Sequence, residues 1–327
     1  MKLSETGPVA AASPMLVRRG RGRGGPRVWG LPASVWFVAP AMLIIGVFFL
    51  LPIAASLLLS LTDFDIYALA DLNNLRIVGL DNYVQLMQSE LFWTSLVNTL
   101  YFVAVGGPIS VAVSLGAALL LESKLTRFKV LWRTIFFAPV VTTLVAAAIV
   151  WRYLYHTNYG FINYVLAQVQ LLLGREQEDL VFIDWMGDPR WAMPAIILLS
   201  VWKTFGYNMV IFMAGLSSIP AELYEAAEVD GARAWSRFRH VTLPMLAPTF
   251  LFVGVTTMIG NFQIFSEPYV MTRGGPEDST YTMVMLMYEQ GFRWWRLGLA
   301  SAIAFVLFAI MLAATLVQIR LQRRMAT

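Results

Sequence analysis

Cysteine is absent from this sequence of 327 residues, and histidine occurs only at His156 and His240. The first absence excludes disulfides, thiolate metal sites and cysteine nucleophiles. Two histidines this far apart do not make a metal site on their own. Charge is also scarce: Asp, Glu, Lys and Arg make up 13% of the chain and hydrophobic residues 58%, whereas a soluble domain is about 25% charged. The composition therefore predicts an integral membrane protein.

Apolar windows long enough to cross a bilayer, about 20 residues each, predict six transmembrane helices. They cover residues 33–61, 91–121, 130–153, 191–216, 245–265 and 297–319. Ahead of them, residues 1–30 place arginines among glycines, a composition that cannot bury a core and that predicts disorder. We therefore predict an all-α membrane fold, with a basic tail over 1–30 and a transmembrane domain over 31–327.

Basic residues give the predicted orientation. Most of the 24 Lys and Arg residues fall in the tail, in the loop 124–133, in the segment 225–244 and after residue 319. Because cytoplasmic flanks are enriched in Lys and Arg, these parts and both termini are predicted to be cytoplasmic. A basic tail also suits RNA, but the topology-setting role is favoured and no nucleic-acid partner is predicted.

Two shorter apolar pieces, residues 159–173 and 281–288, fall on the predicted outer side. Lengths of 10–14 residues usually mean interfacial or re-entrant segments, and the first piece is only a little longer. If the first piece crossed the membrane, every later loop would change sides and the charge pattern would invert. Both are therefore predicted to be interfacial or re-entrant helices.

The run Glu225–Pro244, EAAEVDGARAWSRFRHVTLP, is polar and lies between two apolar spans. Just upstream, Pro220 suits the first position of a helix, with Ser217 and Ser218 as candidate caps. Gly231 permits the left-handed conformation that ends a helix. A first short helix is therefore predicted before Gly231.

A second short helix is predicted after that glycine, and Pro244 is expected to end it. In the first helix, Ala226 and Ala227 leave a low surface beside Glu225. A helix with this shape suits a groove in another protein. The segment is therefore predicted to be a docking element made of two hinged helices.

Polar side chains gather in the fourth and fifth predicted spans. Their amides and hydroxyls suit hydrogen bonds to sugar hydroxyls, and the aromatic rings suit stacking on a sugar, although interhelical hydrogen bonding is the alternative explanation. A polar, uncharged substrate is therefore predicted. The candidate substrate-binding residues are Ser200, Trp202, Thr204, Tyr207, Asn208, Thr257, Asn261 and Gln263.

Lys203 lies about halfway along the fourth predicted span. A charged side chain at this depth is costly and must face protein or water. Two interpretations stay open. Lys203 lines the substrate path, or it pairs with an acid on a neighbouring subunit or extends to the membrane interface.

Catalytic and nucleotide-binding motifs are missing. The sequence contains no GxxxxGK[ST] loop, no HExxH and no GxSxG. No catalytic residue, metal site or cofactor is therefore predicted for this chain. The predicted span interiors hold no Asp or Glu and show no clear repeat, so a partner is favoured over an ion gradient as the energy source. The alternative of a membrane enzyme would rely on the loop acids Asp184, Asp188, Glu277 and Asp278.

The polar segment resembles a loop of the permease subunits of bacterial binding-protein-dependent ABC importers. Their pattern is EAA, three residues, Gly, nine residues and Ile-x-Leu-Pro. Here it is met by Glu225-Ala226-Ala227, Gly231 and Val241-Thr242-Leu243-Pro244, with valine in place of isoleucine. Downstream, Met271-Thr272-x-Gly274-Gly275-Pro276 resembles an outer loop of the carbohydrate-uptake branch, which is related to the maltose and glycerol-phosphate permeases. The resemblance covers about residues 30–320.

This resemblance implies a six-helix core in the bacterial cytoplasmic (inner) membrane, paired with a second homologous permease. Two ATPase subunits, which hold ATP and Mg²⁺, would bind the loop, and an extracytoplasmic solute-binding protein would deliver the sugar. The residues implied in ATPase coupling are Glu225, Ala226, Ala227, Asp230, Gly231, Leu243 and Pro244.

Sugar contacts are implied by the resemblance near Ser200, Thr204, Tyr207, Thr257, Asn261 and Ile264. Ile264 is apolar where the family's example has an amide, and Thr204 replaces a glycine, so the sugar's identity stays open. The expected function is the permease subunit of a sugar importer. An importer of another polar solute, such as glycerol phosphate or a polyol, is the alternative.

Overall fold

The structure of the protein, a computed structural model, describes residues 27–28, 31–123 and 126–325. The predicted tail over 1–30 therefore lies almost entirely outside the described residues. The chain divides into two compact units, Met1–Ala55 and Ser56–Thr327. Apart from a two-residue ladder, in which β1 (Arg27–Val28) pairs antiparallel with β2 (Leu31–Pro32), the regular structure of the described residues is helical.

Among the described residues, five helical segments are long and apolar enough to span a membrane, or six if a bent pair of helices is counted as one span. Three lie in single helices: α5 (Glu90–Glu122), α9 (Pro189–Ser217) and α16 (Leu297–Met325). The one nearest the N-terminus comprises α1 (Ala33–Ile45), a wider turn over Gly46–Leu50 and α2 (Leu51–Leu59). The remaining one, Ala247–Met271, comprises α13 (Ala247–Phe262) and α14 (Ser266–Met271). The prediction of an all-helical membrane fold is confirmed.

The predicted span over 130–153 is sharply bent, a feature that the sequence did not predict. It consists of α6 (Lys129–Val141) and α7 (Leu144–Leu154), which meet at 100°. The backbone of Thr142 and Thr143 between them is extended. The Thr142 hydroxyl donates to the carbonyl oxygen of Pro139 at 2.7 Å, which occupies one acceptor of the last turn of α6.

Short helices connect the longer ones. Two of them match the predicted shorter apolar pieces: α8 (Phe161–Leu172) and α15 (Met283–Tyr288). Between α2 and α5 lie α3 (Ile66–Ala70) and α4 (Asp81–Gln88). Asp65 caps α3 by accepting hydrogen bonds from the backbone of Tyr67 and Ala68.

The polar segment after α9 begins with α10 (Ala221–Val229). It continues through α11 (Ala234–Arg237), a wider turn over Phe238–Thr242 and α12 (Leu243–Met245), which lead directly into α13. The prediction that Pro244 ends a helix is therefore wrong. Pro244 occupies the start of α12, where a missing N–H costs no intrahelical bond.

The predicted start of α10 also needs correction. Pro220 is the residue before the helix rather than its first residue. Ser217 ends α9, and the Ser218 hydroxyl donates to the Gly215 carbonyl oxygen at 2.7 Å. The two serines therefore end α9 and do not cap α10. The prediction for Gly231 agrees with the structure, since its φ is +73° and it follows α10 closely.

The second unit is built on the packing of α5 against α9. Phe102 of α5 and Ile196 and Leu199 of α9 are buried in one apolar cluster. Towards the other end of the two helices, Leu121 is buried in a cluster with Phe212. Backbones come very close where α6 crosses α9: a Cβ at Gly206 would overlap the carbonyl oxygen of Phe136. Only glycine permits this approach without a shift of one helix.

Candidate functional site

A cleft of about 390 Å³ lies between the middle of α9, the end of α13 and the start of α14. The face of α9 supplies hydroxyl and amide groups, and the facing end of α13 supplies more of them. Phe102 of α5 and Leu144 of α7 add apolar surface. The predicted substrate-binding residues that line the cleft are Ser200, Thr204, Tyr207, Asn208, Thr257, Asn261, Gln263 and Ile264.

Trp202 is the predicted residue that does not line this cleft. Its ring lies 5.5 Å from that of Trp151, centroid to centroid, and both residues line a separate apolar pocket of about 330 Å³. The reason is helical geometry, since residues two apart in a helix point to different sides. Trp202 therefore faces α7, whereas Ser200 and Thr204 face the cleft.

Hydrogen bonds hold part of the cleft lining in place. The Asn208 amide donates to the Thr257 hydroxyl at 3.0 Å, which joins α9 to α13. The Thr204 hydroxyl donates to the Ser200 carbonyl oxygen at 2.8 Å and lies 3.3 Å from the Ser110 hydroxyl of α5. These bonds correspond to the interhelical alternative of the sequence analysis. They also fix the positions of groups that a substrate would meet.

Asn261 lies against a part of α5 without side chains. A Cβ at Gly107 would lie 3.5 Å from its amide nitrogen, and one at Gly106 would lie 3.8 Å from it. The two glycines therefore make room for the amide. Tyr207 and Gln263 are exposed, Asn208 and Ile264 are buried, and Asn261 is half-buried. The cleft thus combines fixed amides with solvent-accessible ones.

Glu267 and Ser266 also line the cleft, and neither was predicted from the sequence to do so. The predicted fifth span ends at residue 265, because the hydropathy pattern is interrupted by this charge. In the structure the span continues to Met271. The signal was the sequence Pro268–Met271, which resumes the apolar pattern directly after Glu267.

Lys203 has partners within its own chain. Its ammonium group donates to the carbonyl oxygens of Pro139 at 2.7 Å and Val140 at 3.0 Å. Both carbonyls belong to the last turn of α6, which carries the negative end of the helix dipole. Lys203 therefore caps α6 at the bend. This role was not among the predicted ones, which were a place in the substrate path, a pair with an acid on another subunit, or extension to the membrane interface.

On the polar segment, the predicted coupling residues lie in α10, in the turn that follows it and in α12. No side chain of α10 is buried within the described chain, and Glu225 and Ala226 are exposed. Asp230 follows the last turn of α10, its N–H bonded to the Ala226 carbonyl oxygen at 3.0 Å, and Gly231 makes the turn. Leu243 and Pro244 lie at the other end, in α12.

Two contacts join the arms of this segment. The hydroxyl groups of Tyr224 and Thr242 are 3.0 Å apart. Arg237 forms an ion pair with Glu228 of α10. The segment is therefore a defined structure although its outer surface is uncovered.

The segment containing Gly274, Gly275 and Pro276 forms a compact turn. Gly274 has φ +90°, and a side chain there would meet the ring of Tyr281. The Thr280 hydroxyl donates to the Gly275 carbonyl oxygen at 2.8 Å. Asn98 of α5 donates to the carbonyl oxygens of Asp278 at 2.7 Å and Tyr281 at 3.0 Å. The turn is therefore attached to α5.

Tyr281, which follows this turn, forms a side-chain hydrogen bond with Glu289. The Tyr281 hydroxyl donates to the Glu289 carboxylate at 2.6 Å. Burial, and then this bond, raise the pKa of Tyr281 above its ordinary value. The phenol is therefore the protonated donor at physiological pH.

Two of the four loop acids of the membrane-enzyme alternative, Asp184 and Asp188, have local structural roles. Asp184 accepts from the backbone N–H of Gly187 at 2.9 Å, and Asp188 caps α9 through the N–H of Arg190 at 2.8 Å. Among the described residues, no three His, Asp or Glu side chains gather as metal ligands. These acids thus support helix and turn ends.

Comparison with known families identifies the chain. The model of the binding-protein-dependent transport system inner membrane component matches residues 27–327. The chain belongs to this family. It is 39% identical over 259 residues to the lactose transport system permease protein LacF of Rhizobium radiobacter, covering 79% of this chain and 82% of that protein. The resemblance inferred from the 225–244 and 271–276 segments is therefore confirmed.

Further similarities agree with this family. The chain is 33% identical over 291 residues to the arabinooligosaccharides transport system permease protein AraP of Bacillus subtilis, covering 88% of each. Its fold matches a chain from the crystal structure of a bacterial ABC transporter involved in the import of the acidic polysaccharide alginate. The TM-score is 0.73 at 21% identity, over 90% of this chain and 98% of that one. The match to the alginate transporter chain shows the fold of this chain.

Proposed function

We propose that this chain is the permease subunit of an ATP-driven, binding-protein-dependent importer of saccharides. One observation carries the proposal. The two helices whose polar residues face each other across the cleft, α9 and α13, are also the two helices joined by the exposed segment 220–244. A protein that bound this segment would be connected directly to both sides of the cleft. The names of relatives such as LacF and AraP support a saccharide as the substrate.

In this proposal the chain supplies part of the transport path and performs no chemistry. Two ATPase subunits bind the segment 220–244 and hold ATP and Mg²⁺, whereas this chain binds no cofactor. A second, homologous permease completes the path, and an extracytoplasmic solute-binding protein delivers the saccharide. The complex resides in the bacterial cytoplasmic membrane with both termini of this chain in the cytoplasm.

The first test is purification of the tagged chain from native membranes, followed by reconstitution into liposomes. An ATPase and a second permease are expected to copurify. The solute-binding protein is added together with a panel of radiolabelled disaccharides and arabino-oligosaccharides. The liposomes are expected to take up a saccharide only when ATP is present on the side of the membrane where the ATPase subunits lie. Copurification of no ATPase, or uptake that does not depend on ATP, would overturn the proposal.

The second test addresses the coupling surface. Glu225→Ala removes an exposed carboxylate from α10, so saccharide-stimulated ATP hydrolysis is expected to fall several-fold while the complex still assembles. Glu178→Ala, which removes an exposed carboxylate on the predicted outer side, is the matched control and is expected to leave hydrolysis unchanged. Equal rates for Glu225→Ala and the unmodified complex would count against docking of the ATPase at this position.

A further inference from the structure

Glu267 is the one charged side chain among the described residues that line the cleft. It is the second residue of α14 and is only 9% exposed. The rest of the lining offers hydroxyls, amides and apolar surface. A carboxyl group at this position is therefore the main electrostatic feature that a substrate in the cleft would meet.

Burial of a lone carboxylate is costly, so a countercharge is needed. Lys203 of α9 is the basic residue that interacts with it electrostatically, at a distance beyond that of an ion pair. The ammonium group of Lys203 is directed to the carbonyl oxygens of Pro139 and Val140, and Lys203 is not part of the cleft lining. The acidic group presented to the cleft is thus that of Glu267, whereas the ammonium group of Lys203 is engaged by α6.

We propose that Glu267 is a specificity-determining residue, which makes the cleft select neutral saccharides over anionic ones. Carboxylate oxygens only accept hydrogen bonds, and sugar hydroxyls can donate them. A substrate carboxylate, sulfonate or phosphate in the same cleft would face a like charge at low dielectric, which disfavours its binding. This inference rests on the proposed function, because it concerns the saccharide that the importer accepts.

The experiment measures equilibrium binding to the detergent-purified complex without the solute-binding protein, so that the selectivity of that protein does not enter. The probes are lactose, maltose and cellobiose, each paired with the same disaccharide oxidised to a carboxylate at C6. The measured quantity is the ratio of the two dissociation constants for each pair. The unmodified complex is expected to bind the neutral partner at least about tenfold more tightly, which corresponds to about 1.4 kcal/mol.

Glu267→Gln keeps the size of the side chain and removes its charge. It is expected to lower the ratio about tenfold, a difference of about 1.4 kcal/mol. Glu267→Asp shortens the side chain and is therefore expected to weaken binding of the neutral sugar. Because it keeps the carboxylate, it is expected to retain the preference for the neutral over the oxidised sugar. The matched control is Glu90→Gln, which neutralises an exposed carboxylate at the start of α5 and is expected to leave the ratio unchanged.

Three results would overturn the inference: an unchanged ratio in Glu267→Gln, loss of the preference in Glu267→Asp, or tighter binding of the oxidised partner by the unmodified complex. In each case ATP-dependent uptake of a saccharide would leave the proposed function intact. Absence of both saccharide binding and ATP-dependent uptake in the unmodified complex would instead refute the proposed function, and the inference with it. If the Glu267→Gln complex does not assemble, the preference measured for Glu267→Asp tests the inference: a retained preference supports it and a lost preference overturns it.

Discussion

The ammonium group of Lys203, in the middle of α9, donates a hydrogen bond of 2.7 Å to the carbonyl oxygen of Pro139 at the end of α6. A second bond, to Val140, is 3.0 Å long. The sharp bend between α6 and α7 leaves these carbonyls without partners in a continuing helix. A lysine on a different helix therefore stabilises the bend.

Lys203→Met is expected to destabilise the protein, because it removes a charged donor from both carbonyls while it keeps the length of the side chain. Hydrogen bonds to charged groups contribute about 1.5–3 kcal/mol. A loss of this size should appear as a lower denaturation midpoint of the purified protein. The control is Lys129→Met, whose ammonium lies 3.9 Å from the Glu122 carboxylate with 42% of its side chain exposed. Exposed pairs contribute about 0–1 kcal/mol, so equal losses in the two variants would contradict the prediction.

Gly206→Ala is expected to disrupt the packing of α6 on α9. The added methyl group would overlap the carbonyl oxygen of Phe136, which is backbone and cannot rotate away. Overpacking of this kind costs about 1–3 kcal/mol, and the measurement is the yield and thermal midpoint of the monodisperse protein. Gly116→Ala in α5 is the control, since nothing lies within 4 Å of its added Cβ. A mid-helix alanine there should be neutral or stabilise by about 0.5–1 kcal/mol.

Gly231→Ala is expected to impair coupling. A left-handed backbone costs an L-residue about 1–2 kcal/mol, and φ at this turn is +73°. Gly174→Ala is the control. Gly174 is exposed and has φ +86°, so an alanine there imposes a similar backbone strain at a position distant in sequence from the segment 220–244. Both variants should lose similar stability, but only Gly231→Ala should lose saccharide-stimulated ATP hydrolysis in the reconstituted complex. Parallel losses of hydrolysis would mean that general destabilisation is the cause.

Tyr281 is expected to make stability sensitive to alkaline pH. Its pKa is raised in the folded protein, so folding favours the protonated phenol. The contribution is complete below the unfolded pKa of about 10 and declines as pH rises through the folded value. In Tyr281→Phe the denaturation midpoint should therefore decrease less as the pH rises into the alkaline range. The variant should also be less stable at neutral pH, because it loses the hydrogen bond to Glu289. Tyr67→Phe, at a position 71% exposed, should change neither; an unaltered alkaline limb in Tyr281→Phe would refute the prediction.

Hydropathy identified the spans because a helix that crosses a bilayer requires a long apolar window. Both ends of α5 and α9 lie close to the predicted limits, whereas α16 begins at the predicted residue and continues past the predicted end to Met325. Hydropathy did not reveal the bend at Thr142 and Thr143. Two threonines have nearly the same hydropathy in a helix and in an extended turn. The partner that stabilises the bend, Lys203, lies about 60 residues later, so no local pattern contains it.

The cleft was predicted in large part because amides and hydroxyls at membrane depth are costly and therefore informative. Residue type alone, however, wrongly grouped Trp202 with Ser200, although the helical period separates their faces. Glu267 was missed for the opposite reason. A hydropathy window that ends at a charged residue excludes Glu267, and only the tertiary structure shows that this residue lines the cleft.

The connections around the polar segment are very short. Residues 218–220 separate α9 from α10, and only Leu246 separates α12 from α13. Such short connectors allow little independent movement, so the segment 220–244 is coupled geometrically to the two helices on either side of the cleft. Widening or narrowing of the cleft is therefore expected to reorient α10, and a rotation of α10 is expected to shift α9 or α13. Inserting a flexible residue within 218–220 would lengthen the connection and let each end move without the other.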